Sequence, residues 1–83
     1  MSDDIKERLR RDRQAIKFIV GYMESNGYAP TVRDIGKAIG FSSSSTAQQI
    51  VSRLQRRGWI TYKDHAFRTI KVTEDGLSEA NDS

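Results

Sequence analysis

Eighty-three residues without a cysteine suffice for one small domain and exclude a disulfide framework, a thiolate metal site and a cysteine nucleophile. The longest apolar runs, such as Phe18-Ile19-Val20, are too short for a membrane span or a signal-peptide core, so the expectation is a soluble cytoplasmic protein without a membrane partner. The net charge of +3 hides an asymmetry: residues 73–83 hold four of the 11 acids and no base, while the first 72 residues carry all 14 Lys and Arg, a balance that suits a polyanionic partner as well as an ordinary solvated surface.

The first helix is predicted over residues 3–26, with Ser2, Asp3 and Asp4 as its capped, acidic start. Ile16, Ile19 and Met23 recur at i, i+3 and i+7, and Ala15, Phe18 and Tyr22 repeat that spacing one residue earlier, so two rows merge into a wide apolar face. Ile5 and Leu9 continue it weakly through a charged segment. Gly27 suits a left-handed stop. Pro30 keeps Ala29 out of the helical region. Thr31 as N-cap and Asp34 as capping-box acid then open a second helix over 32–39, with Ile35, Ala38 and Ile39 inward and Gly40 as its stop. Ala47, Ile50, Val51 and Leu54, at i, i+3, i+4 and i+7, define a third helix over 44–57, ended by Gly58.

Beyond Gly58 the period changes from helical to alternating. Trp59-Ile60-Thr61-Tyr62 and Phe67-Arg68-Thr69-Ile70-Lys71-Val72 read as two strands joined by a turn at Asp64-His65-Ala66, a hairpin within 59–72. Residues 73–83 are small, polar and acidic and read as a flexible tail, or as one loose turn at Thr73 to Gly76. The order helix, helix, short turn, helix, hairpin is α+β and mainly α. It describes a three-helix winged helix-turn-helix with a C-terminal two-stranded β-hairpin wing, occupying residues 1–72.

The run Ser42 to Ser45 admits three readings. A linker would lead nowhere regular, whereas this one leads into a clean helical stripe. A nucleophile needs an activating base, and the one histidine, His65, falls in the hairpin turn with no Gly-x-Ser-x-Gly or Ser-x-x-Lys spacing near it. The scattered carboxylates Asp3, Asp4, Asp64, Glu74 and Asp75 form no acid–base pair. No enzyme, metal or cofactor is expected. What remains is a helix start, with Ser43 as the best N-cap and its neighbour Ser42 as the alternative. The face opposite the apolar stripe then presents Ser45, Thr46, Gln48 and Gln49, followed by Ser52 and Arg53. Solvated helix faces usually carry Glu and Lys, yet this first turn and a half is uncharged. Short hydroxyls and amides at the start of the second helix of a helix-turn-helix are suited to base edges in the major groove. Arg33, Lys37, Arg53, Arg56, Arg57, Lys63 and Arg68 are the candidate phosphate contacts.

Arg13-Gln14 followed by GYAPTVRDIGKAIGFSSSSTAQQIVSRLQRRGWI resembles the N-terminal DNA-binding domain of the LexA repressors over about residues 13–72. The Gly-Tyr-x-Pro-Thr-x-Arg-Asp-Ile stretch is the most specific part, and the serine run is similar to that of Gram-positive members. The resemblance implies a winged helix-turn-helix. It implies base contacts at Ser45, Thr46, Gln48 and Gln49, with Ser43 towards phosphate and Arg33 facing the DNA backbone; Thr31, Ser44, Arg53, Arg56 and Arg57 are further candidate backbone contacts. It also implies a wing at Lys63 to Arg68 that carries Lys63, His65 and Arg68. Family residues vary at the Gln48 and Gln49 positions, so no operator sequence transfers. The family's full-length repressors add a self-cleaving domain with a Ser-Lys dyad, for which 83 residues leave no room. The expectation is either a stand-alone regulator of the kind phages and mobile elements encode or a shortened piece of a longer repressor, with EDGLSEANDS reading more as a natural terminus than as a cut linker.

The partner implied is double-stranded DNA. The monomer is expected to bind a half-site weakly, with a weak homodimer on a palindromic operator if Ile5, Leu9 or the wing supplies a contact. The competing expectation is a winged helix that docks a protein, such as a host repressor or polymerase, through Trp59, Tyr62 and Phe67. Trp59, directly after Gly58, fits better as a residue packed on the helices.

Overall fold

A computed structural model describes residues 2–40, 44–63 and 69–81 of the chain. Its elements are α1 (Ser2–Asn26), α2 (Val32–Ala38), α3 (Ser44–Arg56), β1 (Ile60–Thr61), β2 (Lys71–Val72) and α4 (Glu74–Asn81). Helix α1 packs against α2, α3 and α4; α2 lies on α3, and the small sheet is held between α3 and α4. No helix among the described residues is long and apolar enough to cross a membrane.

The core forms where the apolar stripes converge. Ala15, Ile16 and Ile19 of α1, Ile35 of α2, and Ile50, Val51 and Leu54 of α3 meet Trp59, Ile60 and Ile70 from the sheet. Helix α1 runs unbroken through its charged first half. Leu9 is half-buried against this core, whereas Ile5 is 67% exposed. In α2 the expected inward set holds at Ile35, which is buried, and at Ile39, half-buried against the core, but Ala38 is exposed and Gly36 is buried beside Ile35. A helix of seven residues has little more than one side to bury, and the contact with α3 is centred on Ile35.

All three expected glycine stops have positive φ: 78° at Gly27, 87° at Gly40 and 80° at Gly58. The end of α3 shows what this conformation achieves. The Gly58 N–H donates to the Gln55 carbonyl at 3.0 Å, and the Trp59 N–H to the Leu54 carbonyl at 3.0 Å. This is a Schellman ending, and it turns the Trp59 ring back onto the helices it has just left. Trp59 is accordingly 8% exposed and belongs to the core.

The hairpin is shorter than its sequence suggests. β1 and β2 pair antiparallel, with Ile60 opposite Val72 and Thr61 opposite Lys71. Among the described residues the ladder goes no further, and a side chain takes its place. The Lys63 N–H donates to Thr69 Oγ1 at 3.2 Å, and the Thr69 hydroxyl donates to the Lys63 carbonyl at 3.0 Å. One hydroxyl thus serves both backbone groups that a ladder would have used. The turn Asp64-His65-Ala66, with Phe67 and Arg68, lies outside the described residues.

The expected flexible tail is instead a fourth helix from Glu74 to Asn81. Thr73 is its N-cap: its Oγ1 accepts from the Gly76 N–H at 3.1 Å and donates to the Gly58 carbonyl at 2.5 Å. The Thr73 N–H also bonds the Trp59 carbonyl at 3.0 Å. Glu74 and Asp75 fall in the first turn, where acids favour the helix dipole. Glu79 pairs with Arg13 Nε at 2.7 Å, and Ala80 packs on the core. Gly76 lets α4 lie against the Trp59 backbone, for a Cβ there would overlap the Trp59 carbonyl oxygen. Gly76→Ala is therefore expected to cost about 1–3 kcal/mol, lowering the thermal midpoint by roughly 5–20 °C. Circular dichroism melts and the fluorescence of Trp59 would read the change; an unaltered midpoint would mean α4 is not held this way.

Candidate nucleic-acid interface

The helix-turn-helix begins at Thr31. Its side chain accepts from the Asp34 N–H at 3.1 Å, while Asp34 Oδ2 accepts from the Thr31 N–H at 3.0 Å. This reciprocal capping box fixes the first turn of α2. Arg33 and Lys37, one turn apart, are both exposed.

In α3 the buried positions are Ala47, Ile50, Val51 and Leu54, as the periodicity requires. Ser45, Gln49, Ser52, Gln55 and Arg56 are exposed, and Thr46, Gln48 and Arg53 are half-buried. Helical geometry at 3.6 residues per turn puts Ser45, Gln49, Ser52 and Arg56 along the middle of the outer face. Gln48 and Gln55 form one flank, and Thr46 and Arg53 the other. The first turn carries no acid, and the cations Arg53 and Arg56 come only in the last turn. Ser44 opens the helix, and Ser43, the expected N-cap, lies outside the described residues.

The two flanks meet different neighbours. On one side Gln48, Ser52, Gln55 and Arg56 join Tyr62 around an open groove of about 400 Å³ between α3 and the wing. Among the described residues, every lining side chain can donate a hydrogen bond and none is a carboxylate. On the other side Arg53 turns to α1. Its Nη2 donates to Asp12 Oδ1 at 2.7 Å, and its Nε reaches both carboxylate oxygens at 3.1 Å. Arg57 Nε donates to Asp12 Oδ2 at 2.7 Å, with the guanidinium 5.2 Å from the centre of the Trp59 ring. Asp12 is 0% exposed, and among the described residues its charge is balanced by these two arginines.

The basic residues differ in whether an acid holds them, and Lys6, Arg8, Lys17 and Lys71 are exposed and in no ion pair with another described residue. Arg10 and Arg11 lie 4.0 Å from Glu7, Arg13 is on Glu79, and Arg53 and Arg57 are on Asp12. Arg33, Lys37, Arg56 and Lys63 make no ion pair with any other described residue and are exposed. Lys63 stands at the base of the wing, while His65 and Arg68 lie outside the described residues. Burial of Trp59 removes it from any docking surface; Tyr62 is half-buried at the groove.

Reading the sequence missed Asp12. Its signal is that it falls on the apolar face of α1, at i, i+3, i+4 and i+7 with Ala15, Ile16 and Ile19. An acid in such a row needs a partner, and Arg53 and Arg57 are one turn apart at the edge of the α3 stripe.

A family model described as the LexA DNA binding domain matches residues 6–69. Relatives named LexA repressor include that of Staphylococcus epidermidis, 34% identical over 77 residues that make up 93% of this chain and 37% of the relative. That of Enterococcus faecalis is 39% identical over 69 residues, 83% of this chain and 33% of the relative. That of Leuconostoc mesenteroides is 45% identical over 67 residues, 77% of this chain and 31% of the relative. The chain spans about a third of the length of these relatives.

Because Thr31 closes a capping box, Thr31→Ala should lower stability by about 1 kcal/mol in urea unfolding, with no DNA present. A loss confined to DNA affinity would show that the hydroxyl acts only on a partner.

Proposed function

The chain belongs to the LexA DNA-binding domain family, and from that membership we propose that it binds double-stranded DNA in a sequence-specific manner, as a transcriptional repressor. The observation that carries the reading is the outer face of α3, uncharged through its first turns, with Arg33, Lys37, Arg56 and Lys63 nearby, exposed and in no ion pair with another described residue. The reading is of binding, not catalysis, and its place is the cytoplasm.

In this complex α3 enters the major groove. Ser45, Thr46, Gln48 and Gln49 meet the base edges: glutamine amides suit adenine, hydroxyls suit several edges, and the Thr46 methyl can touch that of thymine. Thr31 and Arg33 at the start of α2, Ser43 and Ser44 at the start of α3, and Arg56 at its end meet the sugar-phosphate backbone. Lys63, His65 and Arg68 bring the wing along the phosphates or into the minor groove. Arg53 and Arg57 have the charge for a backbone role, but their guanidiniums are held by Asp12. One module of this kind buries about 600–1,000 Å² of protein surface, so tight binding calls for two half-sites of a palindromic operator and a weak homodimer on it.

Selection of bound sequences from a random duplex pool tests the proposal, and enrichment of a motif is the expected result. Gln49→Ala should then change the preferred base at one position, a discrimination of about 1–3 kcal/mol, and leave affinity for unrelated duplex nearly intact. Equal loss on every sequence would count against base reading.

A further inference from the structure

Three arginines crowd the end of α3, and the structure treats them unequally. Arg53 and Arg57 place four N–H contacts on the two oxygens of a carboxylate that has no exposure to solvent. Arg56, between them in sequence, is exposed, lines the groove beside Ser52, Gln55 and Tyr62, and makes no ion pair with another described residue. A position on a helix that differs by one or three residues differs in direction, and here that difference separates an internal charge from an available one.

We infer that Asp12 is a positioning residue that decides which arginines reach DNA. It withholds Arg53 and Arg57 from the phosphates and leaves Arg56 as the backbone cation of the α3 C-terminal turn. Drawing a guanidinium away would leave the buried carboxylate under-compensated, and that cost exceeds what a solvent-screened phosphate contact returns. Asp12 at the same time ties α3 to α1, so the direction of the outer face and the number of phosphate contacts are set by one group. This rests on the proposed DNA binding.

Salt dependence reads the number of phosphates neutralised, and a purely structural residue does not change it. Binding of the full chain to unrelated duplex would be measured between about 50 and 200 mM salt. Arg56→Gln should flatten the slope of log affinity against log salt by about 0.9, the value for one lost contact. Arg57→Gln, checked for folding by circular dichroism, should leave the slope as in the parent. Asp12→Asn, which frees two cations, should steepen it by up to about 2. Equal flattening by Arg56→Gln and Arg57→Gln would overturn the inference, as would a folded Asp12→Asn with the parental slope. Should Asp12→Asn fail to fold, the two arginine variants decide alone. A parent that binds duplex but enriches no motif would sink base reading and leave this inference standing. A parent that binds no duplex overturns both.

Discussion

The structure depends on how α3 buries its apolar stripe. Ala47, Ile50, Val51 and Leu54 must leave water, and together with α1, α2 and the sheet they make nearly all of the core this chain can assemble. Once those residues face inward, Ser45, Gln49, Ser52 and Arg56 must face outward, since the helical period leaves no freedom between the two faces. The reading face is therefore a consequence of the core, and its rigidity is that of the core.

Two devices turn this helix into part of a winged domain. The left-handed Gly58 sends Trp59 back over the helices, so the chain enters the sheet from a fixed point. Thr73 then bonds to the Gly58 carbonyl and to Trp59 on the return, closing the wing at its root. Helix α4 continues from that junction and reaches α1 through Glu79 and Arg13. Two strands of two residues each would not persist on such short pairing alone; they persist because both ends of the hairpin are anchored to helices.

Charge is arranged by the same logic. Acids pair with Arg10, Arg11 and Arg13 along α1 and with Arg53 and Arg57 behind α3, whereas Arg33, Lys37, Arg56 and Lys63, like Lys6, Arg8 and Lys17 of α1 and Lys71 of β2, make no ion pair with another described residue. The +3 of the whole chain understates how uneven the surface is. Unpaired cations of this kind favour a polyanion.

Helix stops, the capping box at Thr31 and Asp34, and the stripe of α3 were legible in the sequence because each depends on neighbours within a few residues, and local sterics and hydrogen bonding decide them. Gly76 was misleading for the converse reason: in isolation it reads as a breaker, but its lack of a side chain is needed for contact with Trp59, seventeen positions earlier. The hairpin was overestimated because β-branched residues announce a strand but not the Thr69 hydroxyl that takes the ladder's place. The sequence by itself determined which residues α3 buries and which it displays, since one period governs both. Only the tertiary structure decided that Arg56 stands free while Arg53 and Arg57 hold Asp12, because that partition requires α1 to bring a buried carboxylate, 41 positions away in the chain, against one side of the helix.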